Sequence, residues 1–213
     1  GEAGIIRQFA HGETDILVGT RMVAKGFDFS GLSLVAVLQA DSLLAQQDYR
    51  ADERALQLLE QFRGRSGRRD KKGLFVIQTS RPDHPVYKAI SGEEDLESST
   101  LRLLSERKLF GYPPYSRVVN VVAKDYNPKR LEYMSASLAD YIRQSGLDGK
   151  VTMTGPYAPA VEMIAREHIR IIRILFPKDR FLKDNKKTLC DAVERFSSER
   201  KYTGHFALDV DPV

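Results

Sequence analysis

A chain of 213 residues is long enough for two small domains, each with its own core. Hydrophobic residues make up 42% and charged residues 29%, as in ordinary globular proteins, and no apolar stretch approaches the roughly 18 residues a membrane-spanning helix needs. The net charge of +4 favours an anionic partner, and a single cysteine, Cys190, excludes an intrachain disulfide or a cysteine-cluster zinc site and fits a reducing cytosol.

The opening Gly1-Glu2-Ala3-Gly4-Ile5-Ile6 reads as the middle of a domain and not as a signal peptide. The apolar run Ile16–Val18 stops at Gly19-Thr20, the pattern of a buried parallel strand entering a loop at its C-terminal end, where open α/β sheets bind ligands. Two further apolar runs, Leu34–Leu38 and Leu74–Ile77, alternate with helical stretches, which predicts a parallel sheet. One helix carries Ala55, Leu58, Leu59 and Phe62 on one stripe and ends in Gln61-Phe62-Arg63-Gly64-Arg65-Ser66-Gly67-Arg68. Gly64 and Gly67 permit a tight turn, with Arg65 and Arg68 projecting together. Two guanidiniums so held suit a polyphosphate, and a solvated basic turn reads equally well from these residues alone.

Residues 92–116 read as a helical linker between a first domain, 1–91, and a second, 117–213. Glu93-Glu94 start its helix, Arg107-Lys108 end it, and Leu96, Leu101, Leu104 and Leu109 are available to pack. Pro113-Pro114 stop the helix. The second domain then reads as strand Val118–Ala123, helix Pro128–Ser145, strand Val151–Thr154, strand Ile169–Phe176, helix Asp179–Ser198 and strand His205–Val210. The helix stripes are Leu131, Met134, Leu138, Tyr141, Ile142 and Leu189, Ala192, Val193, Phe196, and the last strand buries Phe206, Leu208 and Val210. This βαββαβ order is that of a small ferredoxin-like domain. Residues 162–187 hold eight basic and four acidic residues, a patch that suits nucleic acid or a solvated rim.

Five stretches carry a family resemblance. Gly19-Thr20, Met22, Ala24-Lys25-Gly26 and Phe29, followed by Gln61, Gly64-Arg65 and Gly67-Arg68, resemble motifs V and VI of superfamily-2 helicases. The triplet Ala24-Lys25-Gly26, with Pro113-Pro114-Tyr115-Ser116, Gly155-Pro156 and Leu208-Asp209-Val210-Asp211-Pro212 downstream, is similar more narrowly to the PriA family of primosomal replication-restart helicases. The resemblance implies part of a RecA-like parallel-sheet lobe followed by the ferredoxin-like domain. It also implies a parent that is an ATP-dependent 3′–5′ DNA helicase of the bacterial cytoplasm and nucleoid. That parent uses ATP and Mg2+ and carries zinc in an inserted module. Its partners are forked and single-stranded DNA, single-stranded-DNA-binding protein and primosome proteins, with no membrane.

The resemblance assigns Arg68 as an arginine finger, Arg65 as a second phosphate contact and Gln61 as the residue that orients them or the water. It puts Gly26 and Asp28 near the nucleotide, and Thr20 and Lys25 toward the DNA backbone. From the residues alone, Thr20 also suits a helix N-cap and Lys25 a plain surface position. Arg166, Arg170, Lys183 and Lys187, with Lys186, are the DNA-binding candidates of the second domain. Arg170 and Arg173, three apart, point to opposite faces of a strand. Tyr112 and Tyr115 suit base stacking or domain packing, and His168 and His205 have no ligand partners at metal spacing. No Gly-x-x-x-x-Gly-Lys-Ser/Thr loop and no Asp-Glu pair after an apolar strand is present, so these residues alone make an incomplete ATPase, expected to bind no cofactor. A RecG-like translocase and a non-catalytic nucleic-acid-binding protein are the competing readings.

Overall fold

The computed structural model describes residues 2–20, 32–45, 48–66 and 73–212. The chain forms two compact units, Gly1–Leu103 and Leu104–Val213.

In the first unit, helix α1 (Glu2–Ala10) precedes strand β1 (Leu34–Val37), helix α2 (Ala51–Arg63), strand β2 (Leu74–Ile77) and helix α3 (Pro85–Ser91). Strands β1 and β2 are parallel and in register from Leu34↔Leu74 to Val37↔Ile77. One face of the pair meets the helices: Val37, Phe75 and Ile77 pack against Ala40, Ala55, Leu59, Val86, Tyr87 and Ile90. The other face, with Leu34, Leu74 and Val76, is exposed. The helix stripe expected from sequence is the one buried here, since Ala55 and Leu59 lie in this core with Phe62 against it.

Local chemistry fixes both helices. The Asp48 carboxylate accepts from Arg50 N at 3.0 Å and pairs with Arg54 at 3.2 Å, anchoring the start of α2. His84 caps α3, its Nδ1 accepting from Val86 N at 3.3 Å, with Pro85 in the first helical position. At the far end of α2, Arg63 donates to the Ile90 carbonyl at 3.2 Å and pairs with Glu60. This arginine ties α2 to the end of α3.

The strand expected at Ile16–Val18 is absent: these residues have no regular secondary structure, and Ile16 and Val18 are 76% and 85% exposed. A parallel strand buried on both faces needs a hydrogen-bonded neighbour and a cover on each side, and among the described residues β1 pairs only with β2.

Helix α4 (Leu96–Leu109) begins two residues later than the acidic pair suggested, because Asp95 accepts from Ser98 N at 3.1 Å and serves as the cap. Leu96, Leu101 and Leu109 on it are exposed.

The second unit is β3 (Ser116–Asp125), α5 (Pro128–Ile142), β4 (Thr152–Tyr157), β5 (Met163–Ile164), β6 (Glu167–Pro177), α6 (Leu182–Arg200) and β7 (His205–Val210). The sheet order is β4-β6-β3-β7, with every neighbouring pair antiparallel. That order, with α5 and α6 as the two crossovers, is the ferredoxin-like arrangement. Both helices lie on one face, where Val119, Val121, Ile172, Ile174 and Phe176 of the sheet meet Leu138, Ile142, Leu189, Val193 and Phe196. Each such fully buried side chain contributes about 1.5 to 3 kcal/mol.

Asp125, at the end of β3, has a side chain with no exposed surface; both oxygens accept from Arg130 at 2.7 Å. Arg130 holds the Asp125 carboxyl below the usual carboxylate range, against the opposing effect of burial. Asn127 caps α5, accepting from Arg130 N at 3.1 Å, so the strand end and the helix start are locked together. Two expectations need correction here. Val210 is 47% exposed because the last strand outruns the helix cover, and α5 gives way to a wide turn at Arg143–Leu147, short of Ser145.

Candidate nucleotide and nucleic-acid surfaces

The C-terminal ends of β1 and β2 meet in a polar cluster that sequence reading did not single out. Asp41 lies in a short 3-10 turn just past β1, and Thr79, Ser80 and Arg81 follow β2. The Asp41 carboxylate accepts from Thr79 Oγ1 at 2.5 Å, Ser80 N at 2.8 Å, Ser80 Oγ at 2.6 Å and the Tyr87 hydroxyl at 3.2 Å. Arg81 Nε lies 3.9 Å away. The Ser80 hydroxyl, then that of Thr79, hold this carboxyl far below the usual carboxylate range. The cluster pins two loops together at the strand edge that binds ligands in open α/β sheets. The available signal was a carboxylate ending one strand and two adjacent hydroxyls ending the next.

Gln61 is exposed on the last turn of α2, and Arg65 is half-buried just beyond it. The helix tightens as it ends: Gly64 N donates to the Glu60 carbonyl at 2.9 Å, Arg65 N to Phe62 at 3.0 Å and Ser66 N to Arg63 at 3.1 Å. Gln61 and Arg65 thus both lie at the α2 end, about one turn apart along the chain. Gly64 has φ −64°, a value any residue adopts, so the turn does not use glycine's extra freedom there. Arg63, part of the same basic run, is committed to Ile90 and Glu60. Thr20 is exposed. Lys25, Gly26, Asp28 and Arg68 lie outside the described residues.

In the second unit the basic candidates come from three elements: β6, α6 and the β5–β6 turn. Arg170 lies on the helix-covered side of β6, its Nε donating to Glu132 at 2.9 Å and its Nη1 to the Ile169 carbonyl at 3.0 Å. Much of its charge is therefore met within the protein. Arg173 lies on the opposite side of the sheet, donating to Asn120 at 3.2 Å and stacking 6.0 Å from the Tyr157 ring. Lys183 and Lys187 are exposed one turn apart on α6, and Lys186 between them is half-buried. Arg166 is exposed in the β5–β6 turn. Among the described residues no group of three His, Cys, Asp or Glu is placed to hold a metal ion, and no helix is long and apolar enough to cross a membrane.

The helicase conserved C-terminal domain family matches residues 2–70, the part that contains β1 and α2. The replication restart protein PriA of Synechocystis sp. is 32% identical over 209 residues, a match covering 98% of this chain and 24% of the relative. That of Haemophilus influenzae is 31% identical over 214 residues, covering 98% of this chain and 28% of the relative. The chain belongs to the PriA family. Bacillus subtilis PriA adds a match of 34% identity over 161 residues, or 75% of this chain and 20% of the relative. The chain is thus a C-terminal fragment of a PriA protein and spans about a quarter of the length of the first of these relatives. The family match takes in β1 and α2, and β2 follows just beyond its end.

Proposed function

We propose that this chain is the second-lobe and C-terminal part of an ATP-dependent DNA helicase that binds branched DNA at stalled forks and restarts replication by primosome assembly. The observation that carries this reading is the match of 98% of the chain to proteins named for replication restart. We take residues 1–91 as lobe, 92–116 as linker and 117–213 as DNA-binding domain. The working partners are forked and single-stranded DNA, single-stranded-DNA-binding protein and primosome proteins, in the bacterial cytoplasm at the nucleoid. ATP and Mg2+ belong to the parent, as does zinc in its inserted module.

The residues present fit one side of a nucleotide site. Gln61 and Arg65 both lie at the α2 end, and the sequence continues within three residues to Arg68. Bound ATP would supply the phosphoanhydride to be cleaved. Arg68 and Arg65 add positive charge where negative charge grows on the transferring phosphoryl group, which stabilises the transition state more than the ground state. Gln61 orients the guanidiniums, and Gly26 and Asp28 lie beside the nucleotide. Thr20 and Lys25 contact the DNA backbone, so that the same loop senses both ligands. Arg166, Lys183 and Lys187 supply phosphate contacts in the second unit, with Arg170 a weaker contributor because Glu132 already engages it.

The test compares the 213-residue chain with its full-length parent. The chain alone should bind forked DNA at low salt and hydrolyse no ATP, and the parent should hydrolyse ATP faster when DNA is added. DNA-stimulated turnover by the chain alone, or no DNA binding by either protein, would refute the reading.

A further inference from the structure

The β5–β6 hairpin is a thin blade with apolar groups on both sides. Its register is Met163↔His168 and Ile164↔Glu167, which leaves a two-residue turn of Ala165 and Arg166. Both have left-handed backbones, φ 51° and 70°, the geometry of a turn normally built from Asn-Gly. Ala and Arg adopt it only under backbone strain. Val161, Met163 and Ile164 are 59%, 53% and 53% exposed. Successive strand residues point to opposite faces, so Met163 and Ile164 present apolar surface on both sides of the tip. The blade is stiffly rooted. Ile169 N donates to the Glu162 carbonyl at 2.9 Å, and β6 continues into the core through the fully buried Ile172, Ile174 and Phe176.

A partner docked on a flat surface would engage one face only. Apolar groups on both faces fit a slot with apolar walls, and the cation in the turn fits a slot with an anionic rim. The gap between two base steps, flanked by phosphates, has that shape and charge, and apolar side chains are the usual wedges into it. Glu167 stands across from Ile164, so the Met163–His168 face is the one without a carboxylate in the ladder. Resting on the reading above that the protein binds branched DNA, we propose that this hairpin inserts at the branch point, with Met163 and Ile164 between bases and Arg166 on the adjacent phosphate.

The test uses the full-length parent and forked DNA carrying 2-aminopurine, a base that brightens when unstacked, at the branch or in the duplex arm. The wild type should raise branch fluorescence, because a wedged step is partly unstacked, and leave the arm probe unchanged. Met163→Ser/Ile164→Ser should abolish the rise at the branch and keep affinity for unbranched single strands within about twofold, since bulk affinity comes from phosphate contacts. Both positions are exposed, so the fold should persist. As a second variant, Arg166→Gly should raise thermal stability by relieving the turn, yet weaken fork binding relative to single strands. A full rise in the double variant, or equal loss on every DNA, overturns the wedge alone. A parent that binds no DNA overturns the functional reading, and the wedge with it.

Discussion

Replacing Gly155 with alanine should cost the second unit a large share of its stability. Gly155 lies in β4 at the irregularity between the Thr154↔Arg173 and Tyr157↔Ile171 pairs, with φ +108°. Two penalties add. A backbone in that region is almost closed to residues with a side chain, which costs on the order of 1 to 3 kcal/mol. The added Cβ would also lie 2.5 Å from the Ile171 carbonyl oxygen, a backbone atom that moves only if β4 separates from β6. Disturbing that edge of the ladder adds on the order of 1 to 2 kcal/mol, the range of one or two backbone hydrogen bonds. The sum, about 2 to 5 kcal/mol, is a sizeable part of the roughly 5 to 15 kcal/mol that holds a domain folded. For a unit of this size, at roughly 4 °C per kcal/mol, it lowers Tm by about 8 to 20 °C. Thermal and urea unfolding followed by circular dichroism measure this. Gly149→Ala is the control, because Gly149 also has positive φ, +71°, but open space where the Cβ would go. It should show the backbone penalty alone, about 1 kcal/mol. A loss at Gly155 no larger than at Gly149 would refute the close-contact argument.

Acid stability should depend on Asp125: its folded pKa is depressed, so its contribution is complete above the ordinary carboxylate value near 4 and is lost as pH falls through the lower folded value. Unfolding free energy of the wild type should therefore fall below about pH 4, and Asp125→Asn should be less stable at neutral pH with a flatter acid limb. For DNA binding, combined Arg166→Ala, Lys183→Ala and Lys187→Ala should reduce the log–log salt slope by about 0.7 to 0.9 per phosphate contact removed. Arg170→Ala should change that slope less, because Glu132 already engages the guanidinium at 2.9 Å. Fluorescence anisotropy over a salt series reads both, and an Arg170 effect as large as that of Arg166 would contradict the assignment.

Much of the fold was legible where side-chain periodicity alone decides it. The α2 stripe, both helix faces of the second unit and strand β7, whose observed bounds are His205–Val210, follow from spacing along the chain. What failed depended on partners distant in sequence. Ile16–Val18 has the composition of a strand, yet a strand forms only beside another. Strand β5 is two residues long and carries no pattern of its own. The Asp41 cluster joins positions 38 to 46 residues apart, and the Arg170–Glu132 pair joins positions 38 apart. Neither exists until the chain has folded, so a basic residue read from sequence as available for DNA is found engaged by a carboxylate. The motif residues that name the family were legible one by one, because their identity and spacing, more than their surroundings, carry the signal.

The most direct measurement is steady-state ATP hydrolysis by the full-length parent and its Arg68→Ala variant, across a titration of forked DNA, with DNA affinity measured alongside. The account predicts that turnover falls by about a thousandfold or more, as for loss of an arginine finger, with the Kd for DNA within about twofold of wild type. A variant that hydrolyses ATP at the normal rate, or that loses DNA affinity in step with turnover, would contradict it.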